Sequence, residues 1–141
     1  MKTMNFGIVG AGTGAGLIAS GLKLLEERGV AKLVAVSSAH KERAKKFAEK
    51  YGIKKWFACH REMFRESDID AVAVSTPHHL HFPITLDSIE YGLHVLVDKP
   101  IAINLREADE MISRARRAGV KLGVVHELRF GEGIQKIKAV I

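Results

Sequence analysis

The chain has 141 residues, 47% hydrophobic and 27% charged, which suits one soluble domain with a real core. Its net charge is +6, but lysines and arginines alternate with glutamates and no aromatic strip accompanies them, which argues against nucleic acid and suits an anionic ligand. No apolar run approaches the ~20 residues of a membrane span, the first residues leave no room for a signal peptide, and the lone Cys59 excludes an internal disulfide and fits a reducing cytoplasm.

Asn5 to Val9 is a short apolar run that leads straight into Gly10-Ala11-Gly12-Thr13-Gly14-Ala15-Gly16. The pattern predicts a strand, a glycine turn and a helix, the arrangement that holds a dinucleotide pyrophosphate. Gly10 allows a tight turn, and Gly12 lets backbone approach phosphate without a Cβ in the way. Ala15, at the third position, lets helix pack close on strand. The helix start offers unpaired N–H groups to an anion. Ile18, Leu22 and Leu25 carry this helix to about Arg28, before Gly29.

Lys32 to Val36 is a second strand, nearly all apolar as in a parallel sheet covered on both faces. Ala44, Phe47, Ala48 and Tyr51 mark a helix that Gly52 closes. Lys55 to Phe57 is a short third strand, with Trp56 packing at the sheet edge, and a brief helix follows at Arg61 to Arg65. Ala71 to Ser75 is a fourth strand, ended by Thr76-Pro77. Phe82, Leu86 and Ile89 mark the next helix. His94 to Val97 is a fifth strand, halted by Asp98-Lys99-Pro100. Asn104 caps a helix with Glu107 as its capping-box partner. Ala108, Met111, Ile112 and Ala115 form its buried stripe. Lys121 to Val125 is a sixth strand, and Ile134, Ile137 and Ile141 line one face of a last helix. This alternation is an α/β doubly wound parallel sheet (Rossmann) of about six strands. Right-handed crossovers place every strand's C-terminal end on one edge, where ligands bind.

That edge carries the candidate chemistry. In a dinucleotide fold, an acidic residue about 20 positions past the glycines holds the adenosine ribose hydroxyls. Here the second strand ends in Ser37-Ser38-Ala39-His40, with no carboxylate before Glu42. A serine removes the charge that repels a 2′-phosphate, and His40, Lys41 and Arg43 can attract one. The pattern favours NADP over NAD, although Ala39 stands where the usual positive partner follows the serine. The other reading is that Ser37 and Ser38 satisfy a loop. Lys99 either binds a substrate oxygen or transfers a proton, or is a solvated loop lysine paired with Asp98. His78, His79 and His81 crowd one turn too closely to converge on a metal, and no metal site is expected. Histidines that touch the cofactor are the better reading. Cys59 is read as an incidental thiol.

Taken together, Gly10 to Ala15, Ser75-Thr76-Pro77-His78-His79-Leu80-His81, Val97-Asp98-Lys99-Pro100 and Arg129-Phe130 resemble the Gfo/Idh/MocA family of NAD(P)-dependent oxidoreductases, across essentially the whole chain. Asp98 stands where the family usually has Glu, and His78 where it often has Asn. The resemblance implies that Ser75, Thr76, Pro77 and His78 line the cofactor, with His81, Asp98 and Lys99 beside them. It implies that Lys99 polarises the oxygen of a sugar or polyol while hydride passes to or from the nicotinamide. Family members continue into a second α/β domain that completes the substrate site. Residues 1–141 are therefore expected to form the nucleotide-binding domain alone, with little turnover. A non-catalytic NAD(P)-binding or protein-docking module is the alternative. A homodimer through the apolar face of the last helix, or through a surface that the second domain covers in family members, is a further expectation.

Overall fold

The computed structural model describes residues 3–141. Six strands alternate with helices. The strands are β1 (Met4–Val9), β2 (Ala31–Ser37), β3 (Lys55–Phe57), β4 (Ala71–Val74), β5 (His94–Val97) and β6 (Leu122–Val124). All neighbours pair in parallel, in the order β3-β2-β1-β4-β5-β6. This is the doubly wound order, and its reversal between β1 and β4 opens a crevice beyond their C-terminal ends.

The helices are α1 (Thr13–Glu27), α2 (Lys41–Tyr51), α3 (His60–Glu66), α4 (His81–Glu90), α5 (Leu105–Ala118) and α6 (Glu132–Val140). Alternate strand residues feed two cores. Ile8, Val36 and Ala73 pack with Ala15, Ala19, Leu22 and Phe47 of α1 and α2. Val9, Val72, Val74 and Val97 pack with Met63, Ile84 and Met111 of α3, α4 and α5. Both sheet faces are covered, which explains why β4 is buried at every position. Ala15 and Ala19 are wholly buried; such small residues bring α1 close to the sheet.

Five features differ from the sequence reading. Ser75 lies just past β4, and β6 is two residues shorter than expected. The buried stripe of α4 is His81, Ile84, Thr85, Ser88 and Ile89, whereas Phe82 and Leu86 are half-buried. A search for apolar spacing misses such a stripe because three of its members are polar. Ser88 is satisfied within the helix, donating to the Ile84 carbonyl at 2.7 Å. In α5, Ile112 stays 37% exposed while Met111 and Ala115 are buried. Ile134 and Ile137 do lie on α6, but that helix buries none of its side chains, and Ile141 lies past its end. Among the described residues no helix is long and apolar enough to cross a membrane.

The cap of α5 forms. Asn104 Oδ1 accepts from the Glu107 amide at 2.9 Å. Glu107 Oε1 returns to the Asn104 side-chain amide at 3.1 Å, a variant of the reciprocal box. Replacing Asn104 with Ala should cost about 1 kcal/mol of stability, read as a lower urea midpoint with an unchanged slope.

Candidate functional site

The crevice at the β1/β4 switch point has a volume of about 750 Å³. One wall is the glycine turn. Gly10 has φ +118°, and its amide donates to the Ser37 carbonyl at 2.8 Å. A Cβ on Gly10 would sit 2.0 Å from the Ser75 carbonyl oxygen. Only glycine permits both that conformation and that approach. At Gly12 a Cβ would meet nothing within 4 Å, so this position faces open space. Gly12 also precedes α1 with no side-chain cap, which leaves the first N–H groups of Thr13, Gly14 and Ala15 for a ligand. Ala15 itself points into the core.

A second wall comes from the end of β2. Ser37 is 1% exposed, and its hydroxyl is buried without a hydrogen-bond partner among the described residues. Ser38 is half-buried, and its Oγ accepts from the His40 amide at 3.4 Å. His40 and Arg43 complete this side. Beyond Arg43, Lys46 and Lys50 border an adjoining hollow under Thr13.

The third wall is the pair of loops after β4 and β5. Ser75 Oγ donates to Asp98 Oδ2 at 3.0 Å, and Asp98 Oδ1 accepts from the Lys99 amide at 2.8 Å. A Cβ on Gly14 would lie 2.7 Å from both Ser75 Oγ and Asp98 Oδ2. The first turn of α1 therefore rests directly on this pair. Thr76 and Pro77 line the crevice; His78 is exposed on the 3₁₀ turn that follows. The Lys99–Pro100 peptide is cis. His81 lies behind this wall, wholly buried, with Nε2 3.0 Å from the Thr76 carbonyl oxygen and Nδ1 2.8 Å from the Pro100 carbonyl oxygen. Both its nitrogens are occupied by main chain, so it faces the loops and not the crevice.

Lys99 is about half-exposed, and its ammonium approaches Glu127 Oε1 at 3.8 Å. Its side-chain ion pair is with Glu127, while Asp98 holds its main chain. Glu127 follows β6, and nothing in its local sequence marks it as a partner for Lys99. Ala58, Cys59 and His60 after β3, with Leu80, Pro83 and Ile84, close the far end of the crevice. The sequence reading assigns none of these to the site: Cys59 is read there as an incidental thiol, and Leu80 enters only inside the motif that starts at Ser75. Among the described residues no three His, Cys, Asp or Glu side chains converge as a metal site.

His60 is fixed from behind. Its Nε2 lies 2.7 Å from Asp87 Oδ2, and Arg61 grips the same carboxylate through Nε at 2.9 Å and Nη2 at 2.6 Å. Burial pushes the Asp87 carboxyl up, but hydrogen bonds from Arg61 and His60, with their charges, hold it below the ordinary carboxylate value.

The model of a protein family described as "Oxidoreductase family, NAD-binding Rossmann fold" matches residues 4–126. The chain is 43% identical to a 1,5-anhydro-D-fructose reductase of Ensifer adhaerens over 97 residues, 69% of this chain and 29% of that protein. It is 28% identical to a myo-inositol 2-dehydrogenase of Thermotoga maritima over 138 residues, 98% of this chain and 40% of that protein. A crystal structure of the WlbA dehydrogenase from Bordetella pertussis, in complex with NADH and UDP-GlcNAcA, superposes with a TM-score of 0.92 at 25% identity. That match covers 98% of this chain and 41% of the other. The chain spans between 29% and 41% of the length of these relatives.

The Asp87 cluster gives a signed pH dependence. A carboxyl whose folded value is lowered stabilises the fold above its unfolded value, and that contribution is lost as pH falls through the lowered one. Asp87→Asn should therefore destabilise the chain near neutral pH. The difference from wild type should shrink steadily below the ordinary aspartate value of 3.8. Urea unfolding of both proteins across that range measures it, and a pH-independent difference contradicts the assignment.

Proposed function

We propose that this chain, which belongs to the Gfo/Idh/MocA oxidoreductase family, is over residues 1–141 the NAD(P)-binding Rossmann domain of an enzyme that moves hydride to or from a sugar or polyol carbon. The observation that carries the reading is the switch-point crevice, with open backbone at Gly12 on one side and Asp98, the residue before Lys99, on the other. A dinucleotide fits this crevice on its own chemistry. Gly12 leaves space, the start of α1 lacks a side-chain cap, and Ser37 has a buried hydroxyl with no hydrogen-bond partner among the described residues.

When bound, the nicotinamide supplies the hydride acceptor or donor. The rest is done by the chain. Gly10, Gly12, Thr13, Gly14 and Ala15 would hold the pyrophosphate with backbone N–H groups. Ser37, Ser38 and His40 would hold the adenosine ribose. Ser75, Thr76, Pro77, His78 and Asp98 would line the reacting half, with His81 behind them. Lys99 would bind and polarise the substrate oxygen. The sugar or polyol class rests on the names of the relatives, a 1,5-anhydro-D-fructose reductase and a myo-inositol 2-dehydrogenase. NADP is favoured over NAD, because the end of β2 bears serines in place of a carboxylate and Arg43 stands beside it. Lys99 is the one ionisable group proposed for the chemistry, so the 141 residues alone should bind cofactor and turn over little.

Titration with NADH and NADPH, followed by the fluorescence of Trp56 and of the dinucleotide, tests the reading. Saturable binding is expected, tighter for NADPH. Gly12→Val should abolish it at an unchanged melting temperature, since the added side chain meets open space. Retained binding refutes the pocket. Ser38→Asp should shift the NADPH-to-NADH affinity ratio towards NADH by about tenfold, or ~1.4 kcal/mol. An unchanged ratio shows that Ser38 is not at the 2′ position.

A further inference from the structure

We propose that His81 is a positioning residue for the reacting end of the crevice: donating from both ring nitrogens, it clamps the Thr76 and Pro100 carbonyls and so brackets Lys99. This rests on the reading of Lys99 and Thr76 as site residues. The sheet holds β4 and β5 together only as far as Val74 and Val97, plus one bond from the Asp98 amide to the Val74 carbonyl. Beyond that point the two loops have no ladder between them. Two side-chain ties replace it. Ser75 Oγ to Asp98 Oδ2 fastens the residue before Lys99. His81 fastens the residue after it, through the Pro100 carbonyl. The Lys99 side chain has little else to orient it, with Glu127 3.8 Å away and both groups about half-exposed. Its direction therefore comes from main chain pinned on both sides.

The chemistry of the two bonds is demanding. Both partners are main-chain carbonyls, which only accept. A neutral imidazole has one N–H, so donating to both at once takes a ring with hydrogen on each nitrogen. The ring is wholly buried at the start of α4. The titratable group facing it is His78, whose ring centroid lies 5.7 Å away on the 3₁₀ turn. Asp98 and Lys99 flank the Pro100 loop. A histidine that merely filled the core would need one bond, and either nitrogen would serve.

Long-range proton–nitrogen correlation spectra of the ¹⁵N-labelled chain read the ring directly. His81 is expected to show hydrogen on both nitrogens without any ligand. One bare ring nitrogen overturns the proposal, and this measurement needs no variant to fold. His81→Gln carries donors on one atom only, and His81→Phe carries none. Both should shift the Thr76 and Lys99 amide resonances while leaving those of Ile8 and Leu22 in place. NADH affinity should fall by about tenfold in His81→Phe and less in His81→Gln, the scale of a lost hydrogen bond from a charged donor. A folded His81→Phe with unmoved Thr76 and Lys99 resonances and unchanged affinity overturns the proposal. Wild-type chain that fails to bind NADH overturns the cofactor reading instead, and the ring spectrum and the two amides still decide whether His81 is the clamp.

Discussion

The main chain at Gly10 passes so close to Ser75 that a Cβ would sit 2.0 Å from its carbonyl oxygen, and most of the site depends on that approach. It brings the loops after β1 and β4 together where the sheet order reverses. The Gly10 amide also reaches the Ser37 carbonyl, so one residue joins the ends of three central strands. α1 can then start directly over the switch point. Its first turn lands on the Ser75–Asp98 pair because Gly14 has no side chain to hold it off. The same short path exposes the uncapped N–H groups of α1 to the crevice. Turn, helix start and crevice wall are one construction, and a methyl group at residue 10 would push all three apart.

Electrostatics is arranged around this construction in two layers. Near the crevice, the Asp98 carboxylate is consumed by Ser75 and by the Lys99 amide, so it braces loops. Further back, Asp87 is consumed by Arg61 and His60, and ties α3 to α4. The positive groups at the β2 end, Arg43 and Lys46 among them, have no carboxylate partner among the described ion pairs. Fixed acids hold the frame, while basic groups stand at the mouth. That division suits an anionic ligand better than the net charge alone does.

The fold was legible because each element carries its own local signal. Apolar runs mark the strands, Gly52 at positive φ closes α2, and Asn104 announces the cap of α5. What escaped the sequence has a common cause. Three of the five buried residues of α4 are polar, so periodicity points to Phe82 and Leu86 instead of His81, Thr85 and Ser88. Glu127 faces Lys99, and Cys59 and His60 close the crevice, only through tertiary placement. Ile134 and Ile137 lie on a helix as their spacing predicts, yet amphipathic spacing says nothing about what covers the apolar side. Motif spacing finds the residues that share a loop. It does not find those that meet across loops.

The two serines at the end of β2 show how far that limit can be narrowed. Spacing treats Ser37 and Ser38 alike, as a polar pair where an acid is often found. The structure separates them. Ser37 lies in the strand with its hydroxyl buried and without a partner among the described residues, a costly state unless something polar comes to it. Ser38 lies in the loop, where its oxygen accepts weakly from the His40 amide. That contact does not require serine, since aspartate or asparagine makes the same turn at least as well. The loop therefore explains why residue 38 is polar, but not why it is uncharged. An uncharged residue there, on the same crevice wall as Arg43, is the feature on which the proposed preference for NADPH rests.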